Sequence, residues 1–320
     1  MKKKLFKFIS FVSFVILTME VCNRVILYLS NTKNAIKAIV NRKYKWRLAD
    51  VEFTVHGSGK PLLFIHDMTP GSSSLEWKMV INKFAATNRV YVTDLPGFGV
   101  SGKPAITYTN YLYVSFIQDF IKNVIKEKTS IIASRESANT ILMSAYNNSD
   151  LIDKIILINP ASISSYKLMP TVESRRTKKL LSLPVVGTFI YLTSMCKCIL
   201  KEKLNLSSPN SAAHINSELC CNYYFASHYN GKSARFYYAS YIGNYVNFPV
   251  HHRLSAITNP ILIISGENTN QSSLNTEEYI SYNDSIQTEI IKNTSEFPHM
   301  EAPEVFYDKC MSFLDRNHTH

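Results

Sequence analysis

Several short apolar runs, each bounded by glycine, proline or polar residues, constrain the fold of this 320-residue chain more than any other feature. The clearest runs are Leu62 to Ile65, Val90 to Val92, Ser130 to Ala133, Ile155 to Ile158 and Ile261 to Ile264. Short runs without polar alternation are typical of strands that are buried on both faces, as in a parallel sheet. We therefore predict an α/β protein with helices on both sides of a mostly parallel sheet.

Longer segments surround the first of these runs. They are Pro61-Leu-Leu-Phe-Ile-His-Asp67, Pro70-Gly-Ser-Ser-Ser74 with Trp77, and Val90 to Pro104, which contains Asp94-Leu-Pro-Gly-Phe-Gly. The glycines and the proline of this last stretch suit a turn between a buried strand and a helix. Together the segments resemble the single-domain α/β-hydrolases, a family of esterases, lipases and peptidases. The resemblance implies the α/β-hydrolase fold, with a doubly wound, mostly parallel sheet and a helical cap inserted in it.

The nucleophile position of the family falls within Ile131-Ile-Ala-Ser-Arg-Glu-Ser-Ala138, which overlays the G-x-S-x-G motif in two registers. One register places Arg135 at the nucleophile position, and the other places Glu136 there. The spacing to the next buried strand, Ile155 to Pro160, favours Arg135. The apolar run also ends just before Arg135, where the family has the strained turn that exposes its nucleophile.

The resemblance also locates the two other catalytic positions. Pro260 to Thr269 overlays the family's strand and G-x-x-D segment, so the acid position holds Thr269. Ser295 to Phe306 overlays G-H-x-P-H-x-E-x-P, in which the first histidine is the catalytic one. That position holds Glu296, whereas the second histidine is retained as His299.

A triad of Arg135, Thr269 and Glu296 cannot perform acyl transfer, which needs a nucleophile and a correctly oriented base. A guanidinium stays protonated and has no acceptor atom. In the oxyanion loop, the family's His-Gly pair appears as His66-Asp67, so a carboxylate lies where negative charge would have to develop. We hypothesise an ion pair between Arg135 and Glu296 in the former active site. The alternative is that both side chains point to solvent.

Two rescue routes for catalysis are compatible with the sequence. Ser137 could act as nucleophile with His299 as base, or Glu136 could act as a carboxylate nucleophile without the histidine that drives water attack. His66 and His299 also suit packed, hydrogen-bonded positions of the motif. We favour a non-catalytic relative that binds an apolar ligand or a partner; the alternative is a hydrolase of carboxylic, lipid-like esters.

We predict four segments: an anchor and arm at 1–47, the first half of the core at 48–160, a helical cap at 161–250, and the second half of the core at 251–320. The cap is rich in aromatic residues, which with His228 would line a ligand pocket or simply pack together. They are Tyr223, Tyr224, Phe225, Tyr229, Phe236, Tyr237, Tyr238, Tyr241 and Tyr245.

Positive charge is concentrated in residues 1–47, where eleven lysines and arginines face one acid, Glu20. The rest of the chain is nearly neutral, so no basic face indicates nucleic acid. Lysines precede the apolar run Phe8 to Met19, and Leu5 to Leu29 would span a bilayer if its polar residues lay at an interface. This pattern is typical of a signal peptide or an uncleaved signal anchor. We favour an anchor in the cell membrane that contacts lipid directly.

Cations flank the apolar run on both sides, so the positive-inside rule does not select an orientation. Residues 35–47 fit either an interfacial helix on anionic lipid or a solvated basic linker. The six cysteines lack zinc-site spacing, and no phosphate loop or dinucleotide fingerprint is present, so we predict no metal and no cofactor. Cap cysteines 196 or 198 could pair with 220 or 221 in an oxidising exterior; free thiols are the alternative.

Overall fold

The computed structural model describes residues 2–33, 42–207, 213–269 and 272–316. Its centre is an eight-stranded sheet in the spatial order β1-β2-β4-β3-β5-β6-β7-β8. Strand β2 is antiparallel to both of its neighbours, β1 and β4, and all other neighbouring strands are parallel. The strands are β1 (Arg42–Trp46), β2 (Ala49–His56), β3 (Lys60–Ile65), β4 (Asn88–Thr93), β5 (Thr129–Ser134), β6 (Ile152–Ile158), β7 (Ile261–Gly266) and β8 (Gln287–Ile291).

Helices cover both faces of the sheet, and five of them form a cap between β6 and β7. The cap helices are α5 (Val172–Leu181), α6 (Val186–Ser194), α7 (Lys197–Ser207), α8 (Ala213–His228) and α9 (Gly231–Ile242). The others are α1 (Lys2–Lys33), α2 (Ile81–Phe84), α3 (Asn110–Phe120), α4 (Ser137–Asn147), α10 (His251–Leu254), α11 (Ser272–Tyr282), α12 (Pro298–Glu301) and α13 (Pro303–Leu314). Short 3-10 turns occupy Ser74–Trp77, Ser149–Leu151 and Ser165–Lys167, and a π-helical turn occupies Ile121–Ile125.

The central strands divide their side chains between two apolar cores, because successive residues of a strand point to opposite faces. Leu63 and Ile65 of β3 join α3 and α4 in one core, whereas Leu62 and Phe64 join α2 and α13 in the other. All four side chains are fully buried. The doubly wound, mostly parallel sheet predicted from the short apolar runs is confirmed, and so is a helical insertion within it.

The interfacial helix considered for residues 35–47 is wrong for the part of that segment that the structure describes. Residues 42–46 form the edge strand β1, paired antiparallel with β2, and residues 34–41 lie outside the described residues. Trp46 packs edge-on against Phe116 and donates its indole N–H to Asp119 at 2.8 Å. Cross-strand pairing and the burial of one aromatic face therefore outweigh the helical amphipathicity of this segment.

Helix α1 is the one helix of the described residues whose length and composition suit a membrane span, although a signal sequence passes the same test. Its 32 residues extend about 48 Å at 1.5 Å per residue. Its first half exposes apolar side chains, whereas Ile26 and Leu27 pack against the apolar cluster of the cap. The Asn23 amide donates to the Val185 carbonyl at 3.1 Å, which fixes α1 to the start of α6.

Candidate functional site

Arg135 occupies a sharp turn between β5 and α4. Its φ angle is 49°, a left-handed conformation that is uncommon for residues other than glycine. Its backbone N–H donates to the Ile158 carbonyl at 2.9 Å, which ties the turn to the neighbouring strand β6. Glu136 follows in an ordinary right-handed conformation before α4. Arg135 therefore has the place and the backbone geometry that α/β-hydrolases give to their nucleophile.

The guanidinium of Arg135 contacts two carboxylates. Its Nη1 donates to Glu296 Oε2, and its Nε lies 3.4 Å from Asp67 Oδ2. The side chains of Arg135, Glu296 and Asp67 are 22%, 17% and 1% exposed. The hypothesised ion pair is thus present with Asp67 as a third member, and the solvent-pointing alternative is wrong. Burial alone would lower the pKa of Arg135, but the two carboxylates raise it.

The Asp67 carboxylate is held by hydrogen bonds at a position that matters for acyl transfer. Its Oδ1 accepts the backbone N–H of Glu136 at 3.2 Å, and its Oδ2 accepts the Thr69 hydroxyl at 2.6 Å. In α/β-hydrolases the N–H of the residue after the nucleophile is one of the oxyanion-hole donors. A protein carboxylate therefore occupies a donor that would otherwise stabilise the tetrahedral intermediate.

Glu76 holds the backbone of Asp67 by a hydrogen bond and is a residue that the sequence analysis missed. Both of its carboxylate oxygens accept the backbone N–H of Asp67, at 3.3 and 3.2 Å, and its side chain is buried. Burial, followed by the nearby charge of Asp67, raises the pKa of Glu76 well above its usual value. The available signal was an acid directly before Trp77 in a segment expected to be buried.

Thr269, at the acid position, turns away from the ion cluster. Its hydroxyl donates to the Gly266 carbonyl and lies 3.5 Å from Asn159 Oδ1. Asn159 in turn donates from Nδ2 to the carbonyls of Ser295 and Glu296, each at 3.0 Å. Asn159 therefore holds the loop of Glu296 against the end of β7. The sequence analysis missed this role, for which the only signal was an amide at the end of a buried strand.

His66 is a buried, neutral structural histidine. The backbone N–H of Leu95 donates to its Nε2 at 3.1 Å, so the ring proton resides on Nδ1 and is donated to the Asp67 carbonyl at 2.6 Å. Burial lowers its pKa more than the charge of Asp94 raises it. The imidazole thereby fixes the start of the loop that carries the Asp67 carboxylate.

Ser137 and His299 do not form a nucleophile and base. The Ser137 hydroxyl donates to the Ser134 carbonyl at 2.6 Å within the first turn of α4. His299 stacks on Trp77 with ring centroids 4.8 Å apart, and neither ring nitrogen has a hydrogen-bond partner among the described residues. Burial, aided by the charge of Arg135, lowers the pKa of His299 to about 3. The imidazole is therefore neutral at physiological pH.

A cavity of about 230 Å³ lies between the ion cluster and the cap. Three of the predicted cap tyrosines line it, together with aliphatic residues and one lysine. The lining is Asp67, Thr69, Pro70, Arg135, Met195, Leu200, Lys203, Leu204, Tyr223, Tyr238, Tyr241, Ile242 and Phe297. His228, predicted as a pocket residue, lies outside this lining because its ring stacks on Tyr224 within α8 at 4.1 Å.

The cap thiols show neither a disulfide nor a metal cluster within the described residues. All six cysteines are free; the sulfurs of Cys196 and Cys198 lie 2.8 Å apart, and the Cys220 thiol faces the Lys197 carbonyl. Of the two possibilities considered from the sequence, a cap disulfide and free thiols, the structure has free thiols.

We expect Arg135→Ala to lower the free energy of unfolding by about 3 kcal/mol at pH 8, because Asp67 and Glu296 lose their cation. Alanine keeps a Cβ, so the strain of the left-handed backbone is unchanged. Glu296→Gln should have a smaller effect, since Asp67 still compensates Arg135. Urea unfolding of the three proteins in detergent measures this; equal midpoints for Arg135→Ala and the parent protein would contradict it.

Glu136 gives a pH-dependent prediction. Burial, and then the charge of Asp67, raise its pKa from 4.5 to about 7. The folded state therefore holds this proton more tightly, and the resulting stability is lost as pH rises through about 7. We expect Glu136→Gln to match the parent protein at pH 4.5 and to be more stable by about 2 kcal/mol at pH 8. Stability curves that stay parallel across this range would show that Glu136 does not titrate abnormally.

No protein-family model matches this chain. A 2-hydroxy-6-oxo-6-(2'-aminophenyl)hexa-2,4-dienoic acid hydrolase of Metapseudomonas resinovorans is 32% identical over 109 residues, which is 33% of this chain and 38% of that protein. A haloalkane dehalogenase of Agrobacterium fabrum is 29% identical over 125 residues, or 38% of this chain and 40% of that protein. The matches thus span about two-fifths of the length of these curated relatives.

Solved structures match over most of the chain. A serine hydrolase involved in carbazole degradation superposes with a TM-score of 0.70 at 21% identity, covering 87% of this chain and 99% of that one. A membrane phospholipase A superposes with a TM-score of 0.64 at 18% identity and covers 98% of both chains, so its alignment includes most of α1. The resemblance inferred from sequence is confirmed at the level of the fold, and the chain is an α/β-hydrolase-fold protein.

Proposed function

We propose that this protein is a membrane-attached α/β-hydrolase-fold protein that has lost acyl-transfer chemistry and binds a small, neutral, largely apolar ligand between core and cap. The observation that carries the proposal is the position of the Asp67 carboxylate. It takes the backbone N–H of Glu136 and lies beside Arg135, at the turn where a hydrolase has its nucleophile. The site is therefore filled by protein charges at the points where substrate atoms would react.

Chemistry supports the loss of hydrolysis. Acyl transfer builds negative charge on the substrate oxygen, and an adjacent carboxylate opposes that charge. Arg135 has no lone pair with which to attack, and Glu296 is engaged by Arg135 rather than by a nucleophile. The alternative, an ester hydrolase that uses Ser137 and His299, is disfavoured because the Ser137 hydroxyl donates to the Ser134 carbonyl and His299 is enclosed by aromatic rings.

The charges around the cavity indicate the class of ligand. Arg135 donates through Nη1 to Glu296, while its Nη2 has no hydrogen-bond partner among the described residues and the side chain lines the cavity. With Asp67 and Glu296 ionised, the charges of the three side chains sum to −1, so an anionic group beside Arg135 is repelled. Lys203, the other cation of the lining, is exposed, so solvent screens its charge. A neutral carbonyl or hydroxyl oxygen is the partner that this donor favours. At about 30 Å³ per water-sized group, the cavity holds about eight such groups.

Attachment to a membrane is supported by α1. The apolar run Phe8 to Met19 extends about 18 Å as a helix, and the lysines that precede it reach the headgroup region by snorkelling and by local thinning of the bilayer. The polar residues that follow contact the protein: Glu20 pairs with Arg24 and Lys232, and the Asn23 side-chain N–H donates to the Val185 carbonyl. The likeness to a membrane phospholipase A over 98% of the chain also favours a membrane location for this part of the fold.

We expect the protein to hydrolyse no fluorogenic ester above the level of Arg135→Ala, which controls for a contaminating esterase. Restoring the triad with Arg135→Ser, Thr269→Asp and Glu296→His should give no turnover while Asp67 is present, because the oxyanion donor stays occupied. Adding Asp67→Gly should then produce turnover. Thermal unfolding of each variant checks that it is folded, and turnover by the triple variant alone would show that Asp67 does not block the site.

Ligand selectivity tests the electrostatic argument. We expect octan-2-one to bind roughly tenfold more tightly than octanoate at pH 8, since repulsion of about 1.4 kcal/mol disfavours the anion. Glu296→Gln removes one negative charge and should reduce the ratio of the two dissociation constants. Ile242→Trp should fill part of the cavity and weaken the binding of both ligands. Calorimetric titration in detergent measures all three effects. Tighter binding of octanoate by the parent protein would refute a neutral-ligand site.

A further inference from the structure

We propose that the segment from Leu168 to Val185, which contains α5, is a second membrane-contact surface that lies on an anionic bilayer beside α1. We call this segment the cap foot. The inference rests on the attachment of α1 to a membrane and does not depend on the ligand in the cavity.

The cap foot exposes several apolar side chains to solvent. At 100° per residue, Val172, Arg176 and Leu180 lie on one face of α5, opposite the buried Leu181. Leu168 before the helix is 58% exposed, and Leu183 after it is 42% exposed. On this face of α5 the exposed apolar residues flank a cation, as on amphipathic helices that lie at a membrane interface.

Cations lie among the exposed apolar residues of the cap foot. Arg175, Arg176 and Lys179 are exposed, and none pairs with a carboxylate among the described residues. Cations on the edge strand differ in this respect, because Lys43 contacts Glu52 at 3.2 Å. A helix that combines exposed leucines with unpaired arginines and lysines fits an anionic lipid interface. A nucleic acid would use the cations but leave the apolar residues exposed to water.

The position of the cap foot beside α1 selects the membrane as its partner. Asn23 of α1 donates to the carbonyl of Val185, the last residue of the cap foot, at 3.1 Å. Glu20 lies 3.5 Å from Lys232 at the start of α9. These contacts hold the cap at the point where the apolar part of α1 ends, which is where a spanning helix leaves the hydrocarbon core. The cap foot therefore meets the headgroup region whenever α1 spans the bilayer.

Tryptophan quenching by lipids with brominated acyl chains tests this surface in the full-length protein. We expect Leu183→Trp, reconstituted in vesicles of phosphatidylcholine and phosphatidylglycerol, to be quenched about twofold more than Leu274→Trp. Leu274 lies on α11 and is also strongly exposed, which makes it a matched control. The native Trp46 and Trp77 are buried and provide a constant background that the parent protein measures. Equal quenching of the two variants would overturn the proposal.

Charge reversal on α5 provides a second test of the proposal. In the Leu183→Trp protein, Arg175→Glu with Arg176→Glu should abolish the extra quenching in anionic vesicles, whereas Lys128→Glu with Lys292→Glu should leave it unchanged. Loss of quenching in both would overturn the specific role of α5. Co-sedimentation of the parent protein with vesicles distinguishes a failure of membrane attachment from a failure of the cap-foot proposal alone. Failure to co-sediment after detergent removal refutes membrane attachment itself, whereas co-sedimentation without Leu183→Trp quenching refutes only the cap foot.

Discussion

One guanidinium shared by two carboxylates organises the site between the core and the cap. Asp67 follows β3, Arg135 follows β5, and Glu296 precedes α12, so a single cluster of charges ties together three loops at the same edge of the sheet. In a catalytic α/β-hydrolase these loops bring reacting groups together around a substrate. In this protein the charged side chains of the loops instead form ion pairs with one another. Asn159 extends the arrangement by holding the Glu296 loop through two backbone carbonyls.

This cluster also sets the protonation of its surroundings. Asp67 is the most buried of its members. Burial, and then the charge of Asp67, raise the pKa of both Glu76 and Glu136. Four carboxyl groups, those of Asp67, Glu76, Glu136 and Glu296, and one cation cannot all be ionised at low cost in a poorly solvated place. Burial, and then the charge of Asp67, favour the protonated form of Glu76. A catalytic triad has the opposite need, because its acid must stay ionised to orient a histidine.

The fold and the Arg135–Glu296 pair could be predicted from sequence because each depends on a strong local pattern. Apolar runs such as Leu62 to Ile65 identify buried strands, and the triad positions of a known scaffold lie close together in space. The roles of Glu76 and Asn159 could not be predicted, since they depend on which backbone N–H and carbonyl groups meet across strand ends. The helix considered for residues 35–47 failed at β1 because pairing with β2 and the packing of Trp46 are tertiary effects. The position of His228 could not be chosen from the sequence, because helical phase decides whether a cap side chain faces the cavity or packs against its own helix.

The apolar cluster of the cap has a mechanical consequence. It runs without interruption from Ile26 and Leu27 of α1, through Leu192 and Tyr223, to Phe297 beside Arg135. Close-packed interiors transmit displacement because they have little free volume to absorb it. A change in the tilt of α1, such as a thicker or thinner bilayer would impose, must therefore shift or strain the wall of the cavity. If α1 spans a bilayer as proposed, the thickness of that bilayer would act on the cavity through the packing between α1 and the cap.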